Sequence, residues 1–276
     1  MANHRVLITS DIHCTDLEDW YGVSDEARME HWLRSVLAEH EKHPFDLILI
    51  PGDISLDYHQ ELTPFQKGFS TAYLFMKMYA SRLPKDVPVL VTAGNHEQFP
   101  DEVWEKITGN HRQCHYVLGN HTFIMLDSYC ADLGTVYNSS DRYTPMDTDY
   151  IRSLMEAYPD NQVWLLSHWF EMEEETEEFR RLMKDPRIKG LFAGHSHDHR
   201  LIPLGPEYDN KVIAQTGNFS YTMSGAQAGG FWGFRDLVIG DEKAGSSYYM
   251  VESAVILEDG PVRFASRVSA VAEYPL

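Results

Sequence analysis

Six short apolar runs recur in the first two thirds of the chain, and each one ends in polar residues. Apolar runs of about four to eight residues between turn residues are typical of strands buried on both faces of a sheet. The runs, each with the polar residues that follow it, are 6–9 with Asp11 and His13, 47–50 with Asp53, 87–91 with Asn95, 123–126 with Asp127, 163–166 with His168, and 191–193 with His195.

Helical patterns lie between these runs. The segment 24–42 has Ser24 as a candidate N-cap, carries Asp25 and Glu26 in its first turn and stops before Pro44. Further helices are predicted at 65–83, 147–158 and 174–184. In the first of these, the apolar residues share one helical face, which we expect to meet the core.

Strands that alternate with helices predict a largely parallel sheet, in which ligands gather at the carboxyl ends of the strands. The pattern of apolar and polar residues changes after His199, where strand-like runs follow one another without helices between them. These runs are predicted to form a mostly antiparallel part of a second sheet, and they lie near 201–204, 211–215, 231–240, 247–257 and 262–268. The whole is predicted to be a sandwich of two sheets flanked by helices, in a single domain over residues 1–276.

The net charge of the chain argues against some classes of binding partner. Lys and Arg number 23 against 42 Asp and Glu, so the net charge is −19. Such a surface repels polyanions, which argues against bulk nucleic acid and against anionic membranes as partners. A small phosphate substrate is still possible if a local cluster of cations dominates its cleft. No pattern indicates a protein partner.

The chain carries no sign of secretion or membrane insertion. No apolar run approaches the roughly 20 residues that a membrane span needs, and the N-terminus lacks a signal-peptide pattern. The three cysteines, Cys14, Cys114 and Cys130, have neither an even count nor metal-type spacing. We therefore expect a soluble, cytoplasmic protein without a disulfide framework.

The polar residues at the strand ends are of the types that bind metal ions. Asp11 and His13 are two residues apart, so both can face one side of a strand end. Asp53 and Asn95 each follow a glycine, which lets the backbone turn sharply. Two carboxylates, one amide and four imidazoles suit Mn, Fe, Zn, Co or Ni better than Ca or Mg. The seven candidate ligands are Asp11, His13, Asp53, Asn95, His168, His195 and His197.

In this order, the motifs resemble those of the calcineurin-like metallophosphoesterases. That family has DxH, GD, GNH followed by an acidic residue, a lone His, and GHxH. The matching residues lie within about 6–199 and are Asp11-Ile12-His13, Gly52-Asp53, Gly94-Asn95-His96-Glu97, His168 and Gly194-His195-Ser196-His197. The resemblance implies an α/β fold, a four-layer αββα sandwich of two mixed sheets flanked by helices. It also implies one metal site of Asp11, His13, Asp53 and His197, and a second of Asp53, Asn95, His168 and His195, with Asp53 bridging.

The resemblance further implies a hydrolase. Two divalent ions, most readily Mn, Fe or Zn, would hold a bridging hydroxide that cleaves a phosphate ester. The family assigns His96 to the leaving-group oxygen or to the phosphoryl group, and we expect it to act as the general acid. Glu97 could orient His96, or it could bind loop amides. The expected substrate is a small phosphodiester of the nucleotide type.

Two alternatives stay open beside this interpretation. The family cleaves phosphomonoesters as well, and nothing in the sequence decides between the two activities. A non-catalytic metal-binding scaffold is the other alternative, because the retromer subunit with this fold is a binding module. The presence of all seven ligands together with His96 favours an enzyme.

The sequence departs from the family pattern at two points. GNHE replaces the commoner GNHD, and Trp169 and Phe170 follow His168 where many members have a proline two residues on. The second change predicts an aromatic substrate lip. Other loop residues that could contact the substrate are Trp20, Tyr21, Tyr58, His59, Tyr137, Arg142, Tyr143 and His199. The loops 128–146 and 216–230 have no assigned role.

Overall fold

The computed structural model of the chain describes residues 4–18, 23–58, 70–131, 133, 142–220, 232–251 and 266–276. Within these ranges, two mixed sheets of six strands each form the centre of the molecule. The first sheet has the order β12 (Ser266–Pro275), β11 (Lys243–Val251), β10 (Gly233–Ile239), β1 (His4–Ile8), β2 (Leu47–Pro51), β3 (Val89–Thr92). The second has the order β4 (Cys114–Leu118), β5 (His121–Leu126), β6 (Gln162–Ser167), β7 (Ile188–Ala193), β9 (Val212–Gln215), β8 (Leu201–Pro203).

Five α-helices are seen in the same described ranges. They are α1 (Asp25–Lys42), α2 (Thr71–Met78), α3 (Asp101–Thr108), α4 (Thr148–Ala157) and α5 (Glu177–Leu182). The predicted N-cap of α1 is confirmed, since the Ser24 hydroxyl accepts from the amide of Ala27 at 3.4 Å. None of the helices within the described residues is long and apolar enough to cross a membrane.

Three apolar layers hold the sheets and helices together. Val6 and Ile8 of β1 face the space between the sheets, where they pack with Phe123 and Trp164. Leu7, which points to the other face of β1, joins a cluster with α1, α2 and α3. The outer face of the second sheet packs against α4 and α5. The predicted four-layer αββα sandwich is thereby confirmed.

The parallel strands align their carboxyl ends at one edge of the sandwich. β1, β2 and β3 run parallel, as do β5, β6, β7 and β9. Their loops therefore open toward the same edge.

The strands after His199 divide between the two sheets. Strands β8 and β9 extend the second sheet, whereas β10, β11 and β12 extend the first, with β10 antiparallel to β1. The prediction that all of them build the second sheet is wrong. Without β10, the edge of β1 would lack a partner for its backbone groups.

The predicted helix 65–83 is shorter in the described part of the chain. It begins at Thr71 and ends at Met78, and a 3₁₀ turn follows at Ala80–Arg82. Ala72 is buried as expected, but Tyr73 is 50% exposed. Residues 65–69 lie outside the described ranges. A single domain over 1–276 stays a prediction.

Candidate metal centre

Seven polar side chains meet where the parallel strands end. The loops after β1, β2, β3, β6 and β7 supply Asp11, His13, Asp53, Asn95, His168, His195 and His197. Six of the seven are at most 4% exposed, and His195 is partly buried. The structure therefore gathers every predicted ligand in one cluster.

The carboxylate of Asp53 lies at the middle of this cluster. Its Oδ2 atom is 3.2 Å from Nε2 of His13 and 3.1 Å from Nε2 of His168. Nε2 of His96 is 3.7 Å from the same oxygen, and the backbone amide of His96 donates to Oδ1 at 3.1 Å. A single carboxylate thus faces imidazoles from three different loops.

The carboxylate of Asp11 is the second acidic group in the cluster. Its Oδ1 atom is 3.4 Å from Nε2 of His197, and the backbone amide of His195 donates to both carboxylate oxygens at 3.0 Å. The hydroxyl of Ser10 donates to Oδ2 and lies 2.6 Å from Oγ1 of Thr216. These contacts fix the orientation of the Asp11 carboxylate.

The amide oxygen of Asn95 lies between the imidazoles of His168 and His195. It lies 3.1 Å from Nε2 of His168 and 3.2 Å from Nδ1 of His195. Nδ1 of His168 is 3.0 Å from the carbonyl oxygen of Pro51 and donates to it, so Nε2 faces the cluster. Histidines that bind metal ions commonly use their second ring nitrogen in this way.

The spacing of these atoms fits two metal ions. Two ligand atoms about 2.1 Å from one ion are roughly 3.0–3.4 Å apart in octahedral or tetrahedral geometry. The separations of 3.1, 3.2 and 3.4 Å agree with this spacing. Potential ligand atoms within 4.8 Å of one another come from Asp11, His13 and His197, from His13, Asp53 and His96, and from Asp53, His168 and His195. Asp53 and His13 each belong to two of these groups, so these two side chains link the three groups.

Five of the seven residues have backbone in the left-handed region, with φ between 50° and 66°. They are Asp11, His13, Asp53, His195 and His197. Each such residue costs about 1–3 kcal/mol, and such strain is common at functional sites. Gly94 makes the close packing possible, because a Cβ there would lie 2.2 Å from Oδ1 of Asp53.

The family model of calcineurin-like phosphoesterases matches residues 4–199. This range covers more than half of the chain and contains all seven clustered residues. The chain belongs to the calcineurin-like phosphoesterase family. The resemblance that the five motifs carry is thereby confirmed.

Known proteins resemble this chain in sequence and in fold. Purple acid phosphatase 21 of Arabidopsis thaliana is 27% identical over 229 residues, 68% of this chain and 48% of the plant protein. The chain thus spans about half the length of this relative. The structure of PhoD superimposes with a TM-score of 0.61 at 10% identity, covering 100% of this chain and 70% of PhoD. GAP50, the anchor in the inner membrane complex of Plasmodium, gives 0.52 at 10% identity and covers 99% of this chain and 90% of GAP50. At 10% identity, these two superpositions show a shared fold and no more than that.

Burial and the charges of neighbouring side chains together set the protonation of the cluster. It lowers the pKa of both His13 and His195 to about 4, so both imidazoles are neutral, as metal binding requires. For Asp53, burial is outweighed by nearby imidazoles, chiefly His168, which hold the pKa of the carboxyl well below its usual range. The Asp53 carboxylate in turn outweighs burial at His168 and raises its pKa to about 9. A metal ion would have to displace that proton.

Glu97, the last residue of the GNHE motif, binds loop amides. One carboxylate oxygen accepts from the amides of Asp53 at 2.9 Å and Gly94 at 2.8 Å. The other accepts from the amide of Ser55 at 2.9 Å and from its hydroxyl at 2.8 Å. Of the two roles that the sequence left open for Glu97, the structure shows this one. Burial and the charge of Asp53 raise the pKa of Glu97 to about 8.

A buried arginine that we did not predict supports the DxH loop. Arg28 of α1 is paired with Asp25 and donates to the carbonyl oxygens of Ile12, His13 and Phe219. The sequence did carry a signal for it, because an arginine four residues before Trp32 falls on the apolar stripe of the helix.

Arg112 supports the GNHE loop in the same way. Its guanidinium is 2.6 Å from a carboxylate oxygen of Asp127 and donates to the carbonyl oxygens of Glu97, Phe99 and Tyr129. Asp127, the polar residue after β5, is therefore an anchor for Arg112 and not part of the cluster.

Of the two residues of the expected aromatic lip, Trp169 lies beside the cluster of predicted ligands and Phe170 does not. The ring of Trp169 lies 4.8 Å from that of His195, centroid to centroid, and is partly buried. Phe170 is 5% exposed and stacks on Phe179 in the core beneath α5. Neighbouring residues of an extended segment point to opposite sides, so only one of the two can face the site. Tyr129, at 5.9 Å from His195, completes the aromatic wall.

The other predicted contact residues have different surroundings. Tyr58 is buried edge-on against Phe99, and Tyr143 donates to Glu175. Arg142 is exposed. Trp20, Tyr21, His59 and Tyr137 lie outside the described residues.

The start of the 216–230 loop packs directly on the centre. The hydroxyl of Ser220 is 3.3 Å from Nδ1 of His13, and the amide of Phe219 donates to the carbonyl oxygen of Asp11 at 3.0 Å. Residues 221–230 lie outside the described ranges, as does much of the 128–146 loop.

Proposed function

We propose that this phosphoesterase hydrolyses a small phosphate ester at a centre of two divalent ions, with a nucleotide-type phosphodiester as the first candidate substrate. The observation that supports two ions is the shared carboxylate of Asp53. It has His13 on one side and His168 on the other, at 3.2 and 3.1 Å.

The ligands would divide as the family pattern implies. Asp11, His13 and His197 would hold one ion and Asn95, His168 and His195 the other, with Asp53 in both sets. When bound, ions of the Mn, Fe or Zn type would supply a hydroxide nucleophile near neutral pH and neutralise phosphoryl oxygens. Four charges from the ions against two from the aspartates would leave the cleft positive within an acidic protein.

His96 would deliver the proton to the leaving-group oxygen. Its ring is 7% exposed, and its Nε2 atom lies 3.7 Å from Asp53, at the border of the cluster. A side chain in this position can reach a substrate bound at the centre. The same distance also allows His96 to be a ligand, so metal content decides between the two roles.

Trp169 would form a wall for the organic part of the substrate. Its ring packs against His195 and keeps part of its surface exposed. A planar leaving group such as a nucleobase could stack there, since stacked aromatic pairs contribute about 0.5–1.5 kcal/mol beyond burial. This wall is the observation that favours a nucleotide-type diester.

Two alternatives have support of their own. Phosphomonoester hydrolysis is favoured by the similarity to a plant purple acid phosphatase. A scaffold role is favoured by the shared fold of GAP50, the anchor in the inner membrane complex of Plasmodium.

Turnover of two aryl esters by the metal-loaded protein separates these functions. We expect kcat/KM for bis(p-nitrophenyl) phosphate to exceed that for p-nitrophenyl phosphate by about tenfold or more, a difference of 1.4 kcal/mol. The reverse order would establish the phosphomonoesterase. Bound metal without turnover of either ester, or of a panel of nucleotides and cyclic nucleotides, would establish the scaffold.

A further inference from the structure

A pocket of about 450 Å³ lies at the end of the second sheet opposite the metal centre. It is next to the first residues of β7 and β9, whereas His195 follows the last residue of β7. At about 3.3 Å per residue, the length of β7 separates the two places by on the order of 20 Å. The pocket is therefore distinct from the phosphoesterase centre.

Two lysines line this pocket. Lys189 lies on β7 and is partly buried, and Lys211 precedes β9 with a side chain that is 7% exposed. Burial, followed by the nearby charge of Lys211, lowers the pKa of Lys189. The two ammonium groups therefore repel each other in a concave, partly dehydrated place.

The carboxylates near the pocket do not neutralise this pair. Asp209 lies 3.7 Å from Lys211, but its side chain is 74% exposed, so the ion pair is weak. Glu273 is 70% exposed and pairs with Lys243 at 3.0 Å, and Asp185, which is within electrostatic range of Lys211, is held at 2.9 Å by Arg187. Across the described part of the chain, Lys189 has neither a carboxylate within 4 Å nor a hydrogen-bond partner. In a protein with a net charge of −19, two neighbouring lysines in one concave place form a local positive site that an anion can occupy.

The remaining wall of the pocket is largely apolar. Ile188, Leu201, Val212 and Ala272 contribute aliphatic surface beside the lysines. Pockets of about 300–1,000 Å³ with apolar walls and a few polar groups are typical of small-molecule sites.

We propose that this pocket binds a small organic anion, with its phosphate or carboxylate group between Lys189 and Lys211 and its apolar body against Leu201 and Val212. The geometry requires both parts of the ligand. An inorganic anion would leave the aliphatic wall uncovered, and a neutral molecule would leave Lys189 unpaired.

Methyl NMR of the full, metal-loaded chain tests this site directly, because the methyl groups of Leu201 and Val212 report on the pocket. The probes are phenylphosphonate, benzoate and neutral benzyl alcohol. We expect at least one of the two anions to shift both methyl signals with saturation, and benzyl alcohol to bind at least about tenfold more weakly. A stronger response to phenylphosphonate would identify a phosphate site, and a stronger response to benzoate a carboxylate site.

Lys189→Met removes the charge and keeps an unbranched side chain that is one atom shorter. It should weaken binding of the preferred anion by about tenfold, whereas Lys106→Met, at an exposed position of α3 away from the pocket, should leave binding unchanged. Phenylphosphonate bound at the metal centre would shift the indole signal of Trp169 instead.

Three results would overturn the proposal: equal binding of benzyl alcohol, undiminished binding by Lys189→Met, or no shift of these methyl groups up to about 10 mM anion. The comparison of anion with neutral probe needs only the unaltered protein, so it decides the question even if Lys189→Met does not fold. It is also independent of whether the metal centre hydrolyses esters.

Discussion

His96 is the residue whose chemistry separates proton transfer from metal binding. Its backbone amide is tied to Asp53 at 3.1 Å, so its ring has a fixed place beside the shared carboxylate. A p-nitrophenolate leaves without a proton, whereas an alkoxide or ribose hydroxyl leaves poorly without one. General acid catalysis should therefore matter for the second kind of ester only.

His96→Ala should reduce kcat/KM for an alkyl or nucleoside ester by roughly 10²–10⁴-fold, and that for a nitrophenyl ester far less. Taking the ratio for both substrates in both proteins cancels simple losses of binding. Metal content, measured in the same samples, should not change. Equal losses on both esters would assign His96 to the phosphoryl group, and a loss of metal would make His96 a ligand.

Glu97 is a residue whose effect on the site is indirect. Its carboxylate accepts four hydrogen bonds, from Asp53, Gly94 and twice from Ser55. At a pH above the pKa of about 8, where Glu97 is a carboxylate, Glu97→Gln replaces an acceptor by an amide NH₂ that faces donors, so we expect a loss of about 1–3 kcal/mol in the free energy of unfolding. Urea titration measures it, with exposed Glu177→Gln as the control. Unchanged stability would mean that water can replace this carboxylate.

At the scale of elements, Trp169 and Phe170 follow β6 and point to opposite sides of the chain, so we expect one to affect activity and the other to affect stability. Trp169 should select the substrate, so Trp169→Ala should raise KM for the best organic ester and leave hydrolysis of a small aryl phosphate nearly unchanged. Phe170→Ala should instead lower the free energy of unfolding by about 3–5 kcal/mol, because it empties a place in the core. Steady-state kinetics and chemical unfolding of both variants check this division. Equal loss of kcat on both substrates for Trp169→Ala would mean that the ring positions the metal ligands.

Loops at the strand ends could be predicted because their signals are local. Asp53 and Asn95 each follow a glycine, and His195 and His197 share a strand end, so neighbouring residues alone indicated their places. The apolar stripe of α1 indicates that Arg28 is buried, but it cannot identify the partners, because one of them, Phe219, is 191 residues away.

Local sequence patterns also could not predict which residue of an extended segment is buried, or which strand pairs with the edge of β1. Trp169 and Phe170 have similar chemistry, and only the packing of α5 decides which of them is buried. The pairing of β10 with β1 joins His4 to Ile239, a contact that no periodicity records.

At the scale of the whole molecule, metal ions should contribute to stability. The folded chain holds seven candidate ligands together, five of them with left-handed backbone. An ion that binds only this folded arrangement stabilises it. At a free metal concentration of 100 times Kd, each site should add about 2.7 kcal/mol. Removing Mn²⁺ with EDTA should therefore lower Tm by roughly 10 °C in differential scanning calorimetry. Ca²⁺ should restore less of the loss than Mn²⁺, since imidazole ligands disfavour it. An unchanged Tm would argue against preformed metal sites.

The proposed division of the seven candidate ligands between two metal ions depends on Asp53, and one titration tests it most directly. Metal content and turnover of a bis-aryl phosphate are followed together as Mn²⁺ is added to the metal-free protein and to Asp53→Asn. We predict that turnover of the unaltered protein follows occupancy of the second ion. Asp53→Asn should remain folded, bind less than two tightly held ions and lose most of its activity. Two tightly bound ions with normal turnover in Asp53→Asn would contradict the assignment of a bridging carboxylate.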